Sequence, residues 1–381
     1  MIDYERTDRH ETGGRLIAGL QPAWRILLLF VIVTLPAAGQ DAASQIRAEI
    51  QSVQQGLKDR PITDPDTANL STAIEDELKA ASEAVGAGAL YLSLERLGQA
   101  MDLLQGARAI ADKKAEIVKS GLCAFEAEWR KISLALNECE QEARARDWSN
   151  VPAAVRALSE TSEVRAIPLM DGGRALATAT QPKDGLFNIG QAQGEAEFAH
   201  FCASMQFARK ASTLPRRSLL PELHRLQDKT NAAFVPPRSI ELHAQFVQLN
   251  STLKLAEELD AARLYSGALY QYLRALLDYG LLTAVPPDGN GKSALKVAIG
   301  GIQKKLEISE RDDSIAQLCV EWAASLVAHA GNGAPSADDW AIAQVIIDQV
   351  LPAYFAALQP ASPLQQASGK TVEGERRRSG H

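Results

Sequence analysis

Alternation of apolar and polar residues with a period of two is nearly absent from this chain, which leaves no basis for a sheet-built fold. Positive charge is also short: 40 lysines and arginines stand against 47 aspartates and glutamates, a net charge of −7. Nucleic-acid binding normally rests on a basic patch or stripe, so neither a nucleic acid nor another polyanionic surface is an expected partner. Aromatic residues make up only 6% of the sequence, too few for a cleft that stacks sugars. Neither a Gly-x-Ser-x-Gly elbow nor a local Cys–His signature is present.

Cysteine is scarce too, with four residues: Cys123, Cys139, Cys202 and Cys319. An even number permits two disulfides in an oxidising compartment. Cys123 and Cys139 fall on one continuous helical stripe, where the rise between them is about 24 Å, far beyond the roughly 7 Å Cα limit of a disulfide. In that reading any bridge has to reach Cys202 or Cys319. The alternative is four reduced thiols acting as small buried hydrophobes.

One long apolar run is present. Residues 26–35, opening at Ile26 and closing at Leu35, read Ile-Leu-Leu-Leu-Phe-Val-Ile-Val-Thr-Leu. That is about half the 20 residues a membrane-spanning helix needs and within the 7–15 typical of the core of a secretory signal. Arg25 precedes it, and Ala37 and Gly39 offer the small side chains a signal peptidase selects, so cleavage near Gly39-Gln40 is expected. The leader is atypical, because Arg6, Arg9, Arg15 and Arg25 are balanced by Asp3, Glu5, Asp8 and Glu11. Retention as an N-terminal membrane anchor, or burial as an ordinary helix, therefore stays open.

The rest reads as helix. Ile46, Ile50, Val53 and Leu57 step by three and four, and so do Leu90, Leu94, Leu97, Met101 and Leu104. Leu122, Phe125, Trp129, Ile132, Leu136, Cys139 and Ala143 alternate without a break, as do Leu255, Leu259, Ala262, Ser266, Leu269, Leu273 and Leu276. Such alternation puts one apolar seam on each helix. Asp64-Pro65 is expected to cap and open a helix through Leu70, Ile74 and Leu78. Ser336 with Asp339, and Ser309 with Asp312, have the spacing of a capping box. Pro352 is expected to kink or end the last helix.

The breaks divide the chain. Residues 41–211 form an N-terminal helical domain and 238–358 a C-terminal one, joined by a crossing at 212–237 that holds Pro215, Pro221, Pro236 and Pro237 and has room for one short helix. Residues 285–291 and 330–335 read as loops, and 359–381, with Arg376, Arg377 and Arg378, as a disordered tail. Gly88-Ala89-Leu90-Tyr91 recurs as Gly267-Ala268-Leu269-Tyr270, a hint of duplication whose flanks do not align. Residues 186–192 (Leu-Phe-Asn-Ile-Gly-Gln-Ala) resemble the first helix of a tetratricopeptide repeat, with Ile189-Gly190 and Ala192 in the matching places. Over so short a span the resemblance implies helical hairpins used as a protein-binding scaffold, and no binding residue.

Motifs that carry chemistry are isolated. Glu197 and His200 form one Glu-x-x-His on a helix, whereas di-iron bundles need two such motifs and two further glutamates. Glu222-Leu223-His224 and Glu241-Leu242-His243 place their polar groups on different sides of a helix. Gly291-Lys292-Ser293 has the end of a phosphate-binding loop, but Pro286 stands where that motif needs glycine and no strand precedes it; Lys292 is expected to start a surface helix. Asn69-Leu70-Ser71 and Asn250-Ser251-Thr252 are formal glycosylation sequons that chance explains. No residue is assigned a catalytic role, and no cofactor or metal is expected. The sequence reads as an exported all-α protein, an antiparallel helical bundle or helical-hairpin array with coiled-coil-like seams, serving as a scaffold for another protein or for itself. The rivals are an extracytoplasmic all-α hydrolase of glycans or peptides using paired carboxylates, and an envelope assembly factor anchored through residues 26–35.

Overall fold

A computed structural model describes residues 41–179, 182–207, 217–236, 238–282, 284, 286–328 and 335–359. The leader at 1–39, nearly all of the loop at 330–335 and nearly all of the C-terminal tail lie outside the described residues. Within them 85% of residues are helical and none is in a strand, so the fold is all-α.

The first half runs α1 (Ala42–Asp59), α2 (Ala68–Gly86), α3 (Leu90–Ser120), α4 (Leu122–Ala145), a 3-10 turn at Trp148–Asn150, α5 (Ala153–Thr178) and α6 (Pro182–Ser204). The second runs α7 (Leu220–Ala233), α8 (Arg238–Glu241), α9 (His243–Ala261), α10 (Tyr265–Leu281), α11 (Gly289–Glu307), α12 (Ser314–Ala328), α13 (Ala337–Val345), a π-helical turn at Ile346–Val350 and α14 (Leu351–Ala357). The seams behave as their spacing implies: Ile46, Ile50, Leu94, Leu97, Phe125 and Ile132 are all buried. The main core draws on both sides of the proline-containing crossing, from Ile46 through Leu223 to Leu358, and α7 lies inside that crossing. A second cluster, built on Ile110, Phe125, Ile132, Met170, Leu186 and Ile189, fills the outer ends of α3, α4, α5 and α6.

Several local expectations need correction. Asp64 caps a turn rather than a helix: its carboxylate accepts from Asp66 N at 2.9 Å, its carbonyl accepts from Thr67 N, and α2 begins only at Ala68. The capping box at Ser336 and Asp339 is present, but Ser309 and Asp312 form none; Ser309 Oγ donates to Asp313 instead. The apolar stripe from Leu255 to Leu276 is not one helix, because Arg263 turns left-handed (φ 62°) between α9 and α10. Pro352 does not end the last helix. A π-helical turn before it, closed by Leu351 N to Ile346 O, widens the helix where the proline ring would meet the carbonyl four residues back.

The second half repeats the plan of the first. At the end of α2, Ala87 N bonds Glu83 O and Ala89 N bonds Ala84 O around Gly88 (φ 82°). At the end of α9, Ala262 N bonds Glu258 O and Leu264 N bonds Leu259 O around Arg263. Gly88 thus corresponds to Arg263, a position that glycine occupies without strain and arginine only at some cost. The echo seen in the sequence is therefore real in kind but shifted in register: Gly267 lies in the first turn of α10, opposite Leu92 of α3. Packing follows the same plan, with α1 on α2 as α7 on α9, and α12 on α3 as α5 on α10.

Among the described residues one helical run, Ala337–Ala357, is by length and composition able to cross a membrane, with a mean hydropathy of 1.3. More than half of it is buried against α10, α11 and α12, the behaviour of a core helix.

Candidate functional site

A groove of about 760 Å³ opens between the α2–α3 hairpin and the α11–α12 hairpin. Its α2 wall carries Lys79, Ala80, Glu83, Ala84 and Ala87, followed by Gly88 and Ala89 in the turn. Leu92 and Arg96 come from α3, and Gln303, Leu306 and Glu307 from the end of α11. The fourth wall is one face of α12, from Gln317 through Val320, Glu321 and Ala324 to Ala328.

Glu321 is the only charged residue of α12 and is buried. Its Oε2 accepts from Tyr91 N at 3.0 Å and Leu92 N at 2.9 Å, so it satisfies amide groups that the first turn of α3 cannot bond internally. Oε1 accepts from Gln317 Nε2 at 3.0 Å. Burial pushes its carboxyl up to about 7, against the pull of these hydrogen bonds.

The other half holds the counterpart. Glu160 of α5 accepts from Gly267 N at 2.7 Å, in the first turn of α10, and from Arg156 Nε at 2.6 Å. Each half thus supplies the carboxylate that caps a helix of the other. Asp312 joins the two directly: Oδ2 accepts from Ala153 N at the start of α5, and Oδ1 from Ser314 N and Oγ at the start of α12. Glu95 of α3 completes the contact, accepting from Tyr270 Oη and Arg274 Nη1 of α10, both at 2.7 Å.

A paired carboxylate does exist elsewhere. Asp102 of α3 and Glu195 of α6 are buried beside Arg165, whose guanidinium lies 2.9 Å from Glu195 Oε1 and 3.6 Å from Asp102 Oδ2. Burial and then the Glu195 charge raise Asp102 to about 7, and burial raises Glu195 as well. Gln191 Nε2 donates to Asp102 Oδ2, and Asp102 Oδ1 has no partner. The pair is bound into the packing of α3, α5 and α6 rather than set into the groove.

The residues singled out by sequence motifs are scattered. Glu197 accepts from Gln105 and Gln193, while His200 pairs with Glu142 of α4 at 2.8 Å. Glu222 pairs with Arg217 and Arg225, and His224 is exposed and 3.9 Å from Glu257. Glu241 ends α8 and His243 begins α9. Lys292 sits in the first turn of α11, capped by Asp288, and its ammonium lies over the Trp340 ring. Residues 186–192 lie inside α6, which runs on to Ser204. All four cysteines are thiols; Cys202 and Cys319 are buried, Cys123 is exposed, and Cys123 shares α4 with Cys139. Glu321 and Glu160 carried no motif, and Asp312 only the capping-box spacing with Ser309 that the fold does not use. The one sequence signal was a lone charge in an otherwise uncharged α12, which a buried helix face has to pair.

These buried carboxyls give stability an unusual pH dependence. Asp102, Glu163 and Glu321 all sit near 7 in the folded chain, each raised first by burial. The unfolded chain gives up the same protons around the ordinary carboxylate range. Between those limits the folded state holds more protons, so this contribution is full below about pH 4 and is lost as pH rises through about 7. The urea midpoint is expected to rise when pH falls from 8 to 5.5, and Glu321→Gln to flatten part of that slope. A midpoint that falls over the same interval contradicts the assignment.

No family model, curated protein or solved structure matches this chain.

Proposed function

We propose that this chain is an exported helical scaffold that binds another protein in the groove between the α2–α3 and α11–α12 hairpins. The observation that carries the reading is the groove itself: small apolar residues from two helices line it, and charged residues stand at its rim. Its one buried carboxylate, Glu321, is committed to capping α3 rather than presented to a ligand. Export rests on residues 26–35 and the small side chains after them. In this reading the mature chain begins near Gln40, shortly before α1 (Ala42–Asp59).

The test places a benzophenone amino acid at Ser325 in the groove, or at exposed Lys131 on α4 as a control, in the full chain with its leader. Irradiation of cells should give one discrete protein adduct from Ser325, none from Lys131, and a mature N-terminus near Gln40. Equal adducts at both positions, or none from Ser325, would overturn the binding reading. An intact leader in the mature chain would overturn cleavage.

A further inference from the structure

The helices of the two halves start in register. α3 and α10 open at Leu90 and Tyr265, α5 and α12 at Ala153 and Ser314, and α6 and α13 at Pro182 and Ala337. Equal steps from those starts pair Gln105 with Gly280 and Gly190 with Val345. In both halves the two positions touch: a Cβ on Gly190 would lie 2.5 Å from Gln105 O, and one on Gly280 would strike Val345. The register of the sequence is therefore also the register of the packing.

The same steps set the cluster of Asp102, Arg165 and Glu195 against an apolar one. Asp102 corresponds to Leu277, Arg165 to Leu326 and Glu195 to Val350, and all three counterparts are buried. Gln191, which donates to Asp102, corresponds to buried Ile346, and Ser162, bonded to Glu195, to buried Ala323. Leu277, Ile346 and Val350 line one cavity of about 10 Å³, so these positions meet in the second half as they do in the first. Apolar residues thus close this part of the plan. Polar groups are costlier to bury, and their presence at one copy of the position marks a role beyond folding.

Charge within the cluster does not balance. Two carboxyls share one guanidinium, which lies nearer Glu195. Asp102 is 7% exposed and Glu195 3%, yet Asp102 Oδ1 receives no hydrogen bond and Glu195 Oε1 has only its ionic contact with Arg165. The other charged groups on these helices face elsewhere. Glu197 of α6 faces Gln105 and Arg108 of α3, and Glu163 of α5 faces Ser159 and, from α4, Glu140 and Arg144. One proton on the pair makes the cluster neutral and turns an unpaired oxygen into a donor. Gly194 holds α6 so close to Asp102, 2.7 Å from its Cα to an added Cβ, that hydrating the closed-off Oδ1 requires α6 to lift.

We propose that this cluster is a proton-operated latch: a single proton shared by Asp102 and Glu195 holds this stretch of α6 against α3 and α5, and its release lets the stretch open while its counterpart in the second half stays closed. Burial and the Glu195 charge raise Asp102 to about 7 in the closed state, and hydration returns it toward the ordinary carboxylate range. Closure is therefore favoured below about pH 7 and weakens as pH rises through it.

Amide hydrogen exchange on the mature chain, corrected for the intrinsic effect of pH on exchange, tests the latch. From pH 6 to pH 8, protection over residues 190–197 should fall about tenfold, as the loss of one proton requires, while protection over 345–352 stays constant. Asp102→Asn keeps the shape of the neutral carboxyl and should hold α6 at its pH 6 protection throughout. Asp102→Leu, Arg165→Leu and Glu195→Val together, the residues of the second half, should do the same. If that triple variant fails to fold, Asp102→Asn decides alone. Equal falls in both halves, or no fall in α6, would overturn the latch. A tenfold fall that survives Asp102→Asn would overturn it too, placing the titrating group elsewhere.

Discussion

Glu160→Ala should lower the stability of this fold by about 3 kcal/mol, near the lower end of the range for breaking a buried ion pair. The Glu160 side chain is only 4% exposed, and among the described residues Gly267 N and Arg156 depend on it. Gly267 N, in the first turn of α10, would lose its acceptor at 2.7 Å in a buried setting. Arg156 would lose its carboxylate at 2.6 Å and keep the Trp148 face, 5.9 Å from its guanidinium carbon. Arg156 is itself 18% exposed and can recover some hydration, which is why the effect does not reach the top of the range. Arg156→Met with Glu160→Gln should be less damaging than Glu160→Ala alone, because glutamine still offers an oxygen to Gly267 and no cation is stranded. Urea denaturation followed by circular dichroism measures both. A Glu160→Ala chain as stable as the parent would mean that capping across the two halves contributes nothing.

The matching change in the other half should cost less. Glu321→Ala removes an acceptor from Tyr91 N and Leu92 N, but Glu321 lines an open groove from which water can replace it. Its neighbour Gln317 is neutral, so no charge is stranded. The two carboxylates occupy equivalent places in the repeated plan, each seven residues into its helix. One has an arginine and a closed setting; the other has a glutamine and an open one. That asymmetry makes the first a structural tie and leaves the second on the wall of the groove between the two hairpins.

The helices and their buried faces were legible in the sequence because apolar spacing is a local property. Ile46, Leu97, Phe125 and Ile132 announce themselves by their neighbours three and four residues away. The turn at Arg263 was not legible. Glycine or proline would have marked it, whereas arginine in a left-handed conformation is imposed by tertiary packing. Asp312 was read as part of a local capping box because Ser309 stands three residues before it. In the fold it caps α12 and reaches Ala153, a partner too distant in sequence for any local pattern to reveal. The groove was hidden for the same reason, since its four walls come from segments that meet only once the second half has packed on the first. The repeat was glimpsed through the Gly-Ala-Leu-Tyr echo and misregistered, because side-chain identity is preserved less well than the turn geometry.

Gly190→Val should destabilise the chain by about 3 kcal/mol or more, the upper end for overpacking a core. Long α6 is wedged between α3 and α5, and glycines set how closely it can approach them. A Cβ at Gly190 would lie 2.5 Å from Gln105 O, 2.6 Å from Ala109 Cβ and 2.9 Å from Gly106 Cα. Two of those three obstacles are backbone, so no rotamer change relieves them; α6 must move away from α3. One turn further on, Gly194 faces Asp102 Cα and Met101 O at 2.7 Å. Gly185, on the side toward α5, meets Gly173 O at 2.5 Å, so a displacement away from α3 is resisted from behind. Gly300→Ala in α11 is the matched control, because nothing lies within 4 Å of the added carbon. There the relief of backbone entropy should stabilise the chain by about 0.5–1 kcal/mol. Opposite signs for these two glycines in urea denaturation would show that α6 owes its position to backbone contact rather than to helix propensity. Equal and small effects would mean that α3 and α6 can separate without loss.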